Sequence, residues 1–213
     1  MRAIRRLLIT LIVLAGLYVA ADFGLKALAQ SQTASTLETS LDLSKKPTVD
    51  LGGFPFLPRA LGGHLDQVLL SGDDLSAGGQ PLRGVHLTLH DVRFSASALV
   101  FGRKTSVRFA SSDGTADLTG QDVTDALEHA GVHVRVRLAH GNAFVSGGGI
   151  PLEVRLIPSL DGQTLVLRPA VPLPVSLRID LSGLLPDIRL HGIRLQGSIA
   201  VLTFSLARTR FDV

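Results

Sequence analysis

The chain has 213 residues, with no cysteine, no tryptophan, one tyrosine, 46% hydrophobic residues and a formal charge of +3. Without cysteine it has neither a disulfide framework nor a thiolate metal site, so its stability rests on apolar burial, for which one domain of this length suffices. The basic excess does not point to nucleic acid. Arg2, Arg5, Arg6 and Lys26, against Asp22 alone, account for all of it within the first 29 residues, and the remainder is formally neutral.

The three arginines precede an uncharged run from Leu7 to Ala21, the charged and apolar parts of a targeting segment. Roughly fifteen residues rise only about 22 Å, against a bilayer core of about 30 Å. That shortfall suits a cleavable signal peptide, with Ala27-Leu28-Ala29 as the cleavage pattern. The preferred reading is an uncleaved anchor in which Asp22 and Lys26, four apart, pair at the outer interface and the helix runs on to Ala29. Either way the arginines stay inside, and the rest of the chain faces the periplasm or cell envelope. The expected division is 1–29 as membrane anchor or signal and 30–213 as one β-domain.

A helical pattern continues from Phe23 to Leu43, with Phe23, Ala27, Ala34, Leu37 and Leu41 near one face, and Lys45-Lys46-Pro47 ends it. The period then switches to two. Strands are expected at Thr48–Leu51, at Leu65–Leu75 with a bulge, and at Gly84–Phe94 with a slip at Asp91. Ala98–Phe101 and Ser106–Ala110 follow around a turn at Gly102-Arg103-Lys104, then a turn at Ser112-Asp113-Gly114 and a strand at Thr115–Leu118. Thr119 to Ala130 reads as the one internal helix, with Thr119 and Asp122 as capping pair and Gly131 at its end. Strands resume from Val132, turn at His140-Gly141-Asn142 into Ala143–Ser146, and continue at Ile150–Ile157, Thr164–Arg168, Val175–Leu181, Ile188–Gln196 and a bent Ser198–Phe211. The helix-then-strands order occurs twice, from Phe23 and from Thr119, without a residue-level repeat. The fold class is α+β, mostly β: a curved antiparallel sheet forming a partly open barrel, one or two helices packed on it, and the N-terminal transmembrane or signal helix. A β-sandwich is the alternative.

The segment from Gly52 to Gly63, GGFPFLPRALGG, is unusually apolar for a connection between strands, with Pro58 placed to start a helical turn and Gly62 to end it. It is either a loop folded over its own core or an apolar loop at a cavity mouth or membrane surface. The pattern Pro47-x-Val49-x-x-Gly52-Gly53-Phe54-Pro55-Phe56-Leu57, after an N-terminal apolar segment and before Leu61-Gly62-Gly63-x-Leu65-x-x-Val68, resembles the signature of the LmeA family, bacterial envelope proteins described as phospholipid-binding. The resemblance covers most of the chain, taking in the 119–130 helix and the proline-rich stretch from Pro169 to Pro174. Pro58-Arg59 departs from the family pattern, where Thr-Gln is expected. The resemblance implies a lipid-holding β-fold similar to the tubular lipid-binding superfamily and a part in maintaining lipoglycans or other envelope lipids.

On this reading Val85, Leu87, Leu89, Val134, Val136, Leu152, Val154, Leu165 and Leu167 line an apolar groove, with Phe54, Phe56 and Leu57 at its mouth. The partners are a phospholipid or lipid-linked glycan and the cytoplasmic membrane. The rival is an accessory protein of a membrane glycosyltransferase, with the Phe54 loop as a protein contact. Arg135, Arg137, Arg155 and Arg168 fit a solvated face better than a head-group site. His86 and His90, on one strand face, stand about 13 Å apart, too far to share a metal ion, and no cofactor is expected. The chain has no G-x-S-x-G elbow, P-loop or H-E-x-x-H, so no enzyme is expected.

Overall fold

The structure is a computed structural model that describes residues 2–40, 42–73, 75–77, 80–97, 106–129, 131, 133–147, 150–170, 177–180 and 187–212. The first helix, α1, is a single run of 39 residues, Arg2–Ser40, so the uncharged segment and the helical pattern from Phe23 form one rod of about 59 Å. After it come β1 (Thr48–Leu51), α2 (Phe56–Leu61), β2 (His64–Gly72), β3 (Leu75–Ala77), β4 (Gln80–Arg93), β5 (Ser106–Arg108) and β6 (Ser111–Thr119). Helix α3 (Gly120–His129) leads into β7 (Val134–Ala139), β8 (Asn142–Gly147), β9 (Ile150–Asp161), β10 (Thr164–Pro169), β11 (Leu177–Asp180), β12 (Ile188–Gln196), β13 (Ile199–Leu206) and β14 (Arg210–Asp212). The expected Ala98–Phe101 strand, the turn at 102–104 and the 171–174 part of the proline-rich stretch lie outside the described residues.

Two antiparallel sheets result, mostly β as expected and not closed. The larger runs β1-β2-β4-β6-β13-β12, with β3, β5 and β14 at its sides, and the smaller runs β11-β10-β9-β8-β7. The bulges expected in Leu65–Leu75 and at Asp91 do not shift the pairing: β2 and β4 keep one register from His64–Arg93 to Gly72–Val85, and the register shift on β4 lies between Arg83 and His86, against β6. Leu65 and Val68 on β2 pair with Val92 and Leu89 on β4. Asp66 and Asp91 fall at the same level of this register, and Asp91 takes a left-handed φ of 51°. Since the register is unbroken, the apolar faces of the two strands stay aligned.

The expected turn at Ser112-Asp113-Gly114 is absent, and β6 runs straight through it. Gly114 serves a close approach instead: a Cβ there would collide with the ring of Phe204 on the paired strand.

The helix-then-strands order reappears as two cores. Under α1, Ala34 packs with Val49, Leu51, Phe56, Leu65, Val68, Val92 and Phe109. Under α3, Leu127 packs with Val136, Leu138, Ala143, Val145, Leu156, Leu167 and Ala200. Side-chain polar bonds fix both helices. Lys26 Nζ and Gln30 Nε2 reach the Asp50 carboxylate on β1 at 2.9 and 2.8 Å. At α3 the Asp122 carboxylate accepts from Thr119 N–H and Oγ1 at 2.7 Å each, the expected capping pair. Thr124 Oγ1 accepts from Val136 N–H at 2.9 Å and ties α3 to β7.

Candidate lipid-binding site

The long strands of the larger sheet run from one core to the other. On β13, Leu206 packs against the first core and Ala200 is buried in the second, six residues or about 20 Å away. Alternation gives this face Ala200, Leu202, Phe204 and Leu206 from β13. Register adds Ser112, Gly114, Ala116 and Leu118 from β6, and Val85, Leu87 and Leu89 from β4. Between the cores Val85, Leu87, Ala116, Leu202 and Phe204 are only half-buried and belong to neither cluster of described residues. The inner face between the cores is therefore a strip, or trough, of half-buried apolar side chains, with the Phe204 ring packed over Gly114.

At the α1 end stands the Phe54 loop. Its Phe54–Pro55 peptide is cis, and α2 follows at Phe56. Asp22 of α1 is 1% exposed, and its two carboxylate oxygens accept the first N–H groups of α2, from Phe56 at 2.9 Å and Leu57 at 2.6 Å. An isolated helix start leaves such donors without partners, and a carboxylate placed there satisfies them with favourable charge. Phe54 is 56% exposed and stacks on Phe23 of α1, with ring centroids 6.0 Å apart. Phe56 is 6% exposed and belongs to the first core. The expected Asp22–Lys26 pair is not formed, because Asp22 turns to the loop and Lys26 to Asp50.

A phospholipid-binding family model, LmeA-like, matches residues 20–205. The chain belongs to the LmeA-like phospholipid-binding family. No curated protein and no solved structure matches it. The match starts at residue 20, inside α1, and so includes Asp22, Phe23 and the loop they hold.

Within this LmeA-like chain the expected lining residues divide in two. Val85, Leu87 and Leu89 lie on the trough, with Leu89 also touching the first core. Val136 and Leu167 are buried in the second core, and Val134, Val154 and Leu165 pack against it. The side chain of Leu152 lies outside the described residues. Leu57 is half-buried beside Phe56. Leu202, Phe204, Gly114 and Ala116 were not anticipated, although the alternation Ala200-x-Leu202-x-Phe204-x-Leu206 carries the signal.

A shallow groove of about 420 Å³ lies across β4, β6 and β13, lined by His86, Thr88, Asp113, Thr115, His191 and Thr203 together with Gly114 and Phe204. His90 Nε2 stands 3.2 Å from Asp113 on the same side. Arg135, Arg137, Arg155 and Arg168 are exposed on the smaller sheet, and the Arg137 guanidinium lies 4.8 Å from the Phe144 ring centre. Near the end of β4, Arg93 hydrogen-bonds Asp91 and holds its carboxyl below the usual carboxylate range, while Asp91 raises the Arg93 guanidinium. His64 and the Arg59–Asp66 pair complete this charged cluster.

Proposed function

We propose that this chain is a single-pass membrane protein with its β-domain on the extracytoplasmic side, where it holds a phospholipid or lipid-linked glycan on the inner face of the larger sheet and supports upkeep of envelope lipid or lipoglycan. The observation that carries the proposal is the half-buried apolar trough between two packed cores in a member of a phospholipid-binding family. Residues 1–29 act as the anchor and 30–213 as the lipid-binding domain. Val85, Leu87 and Leu89 contribute to the trough, and Phe54, Phe56 and Leu57 build its membrane-facing end.

The energetics favour exchange over capture. Ten methylenes taken out of water are worth about 8 kcal/mol, the scale of a micromolar complex. Acyl chains are equally dry in a bilayer, so moving between bilayer and trough costs little along the chains. The head group and the mouth then decide direction. Arg2, Arg5 and Arg6 on the near side of the uncharged run support the orientation.

The test is lipid loading of the full chain purified in mild detergent. Leu87→Asp and Leu202→Asp each place a carboxylate in the trough and should lower co-purified phospholipid at least fivefold with the far-ultraviolet circular dichroism unchanged. Unchanged loading in both folded variants would remove the trough as the site. Loss of all lipid from the unaltered protein would favour the rival role, an accessory of a membrane glycosyltransferase contacted through the Phe54 loop.

A further inference from the structure

Resting on the reading of α1 as a membrane span, we infer that the Phe54 loop and α2 are seated in the outer leaflet of the membrane that α1 crosses, held there by Asp22, so that the β-domain is docked on its own lipid supply.

By sequence alone the uncharged run is too short to span. The structure removes that difficulty. Asp22 is buried and directed at the α2 backbone, and Lys26 is 22% exposed at its side chain and paired with Asp50. The exposed surface of α1 between Ala21 and Leu28 is therefore apolar: Phe23, Leu25 and Leu28 are 58%, 45% and 54% exposed. The apolar stretch of sequence then extends from Leu7 to Leu28, roughly 22 positions and about 33 Å, enough to cross a bilayer core of about 30 Å.

Such a span puts Asp22 and Phe23 inside the outer boundary of the hydrocarbon, about four residues or 6 Å from Lys26. A carboxylate facing lipid at that depth is unfavourable, and it persists where protein groups satisfy it. The Phe56 and Leu57 N–H groups do so here, and they belong to the loop. The same bonds fix Phe54 against Phe23, at the depth of about 5–10 Å where interfacial apolar side chains settle. Phe54 and Leu61, 56% and 71% exposed, then continue the apolar surface of α1 sideways. The lipid-facing surface and the domain share these residues, so removal of 1–29 would take away Asp22 and leave the start of α2 without its acceptor.

The chain has no cysteine, so single thiols report position. Phe54→Cys, Leu61→Cys and, as control in the exposed turn between β12 and β13, Ser198→Cys are made in the full chain and reconstituted into vesicles of phosphatidylcholine and phosphatidylglycerol. A membrane-impermeant maleimide should react at positions 54 and 61 at least tenfold more slowly than at 198. A fluorophore at 61 should be quenched by phosphatidylcholine carrying a nitroxide high on its acyl chain, and one at 198 should not. Equal labelling rates, or no quenching at 61, in protein that resists alkaline carbonate extraction overturns the seating and leaves the span intact. Release by carbonate overturns both.

Discussion

Replacing Asp22 by alanine removes the acceptor for two backbone N–H groups and is expected to lower the stability of the β-domain, although residue 22 lies on α1, in the proposed anchor. The Phe56 N–H bond is buried, so loss of its partner leaves a donor without a hydrogen bond, costing about 2 kcal/mol. The Leu57 bond is part-buried and water can substitute, so about 1 kcal/mol is reasonable there. The total of about 3 kcal/mol corresponds to a fall in thermal midpoint of about 6–12 °C for a domain of this size. Asp22→Asn keeps one carbonyl acceptor and should lose about half as much. The assay is thermal unfolding of the full chain in detergent micelles, followed by far-ultraviolet circular dichroism. Ser35→Ala is the control, since that hydroxyl bonds only within α1, to Ser31 O. A midpoint for Asp22→Ala within 1 °C of the parent would refute the idea that α1 and α2 are clasped through this side chain.

Three further outcomes follow from the same geometry. Thr124→Val keeps the shape but leaves the buried Val136 N–H without its acceptor, so the urea midpoint should fall by the equivalent of about 1–3 kcal/mol; no change would mean that α3 is held by packing alone. Phe56→Ala opens the first core and should cost about 3–5 kcal/mol, whereas Phe54→Ser, losing only an exposed stack, should stay within about 1 kcal/mol in micelles while lowering lipid loading in vesicles. For pH, the Asp91 carboxyl is depressed in the folded state, first by its hydrogen bond from Arg93, so its stabilising contribution is present above the unfolded carboxylate value near ~3.9 and is lost as pH falls through the lower folded value. Asp91→Asn should flatten the acid limb of a urea-midpoint titration below about pH 4, by a small amount because solvent reaches both side chains, and an unchanged limb would contradict the pairing.

Much of the β-architecture is legible from hydrophobic alternation. Thr48–Leu51 and Ile188–Gln196 keep their expected bounds, and the Thr119–Asp122 cap is formed, whereas Asp91 takes a positive φ without a shift in register. Gly114 misleads because Ser-Asp-Gly is a turn tripeptide by composition. Its use in mid-strand depends on Phe204, ninety residues later, which no local pattern contains. The division of the expected lining residues has a similar origin. Period two tells which residues share a face of one strand, and it does not tell what packs on that face, so it does not separate Val136 and Leu167, buried in the second core, from Val85 and Leu87, half-buried between the cores. Lys26 is the local charged partner that helical spacing offers Asp22. The actual partners of Asp22 lie 34 and 35 residues away.

The central claim is that the trough holds lipid, and native mass spectrometry of the full chain released from mild detergent tests it most directly. The account predicts a one-to-one adduct with the mass of an envelope phospholipid or lipid-linked glycan, removed by organic extraction and regained from vesicles, and weakened by Leu87→Asp. A spectrum of apoprotein alone before and after incubation with vesicles would contradict it.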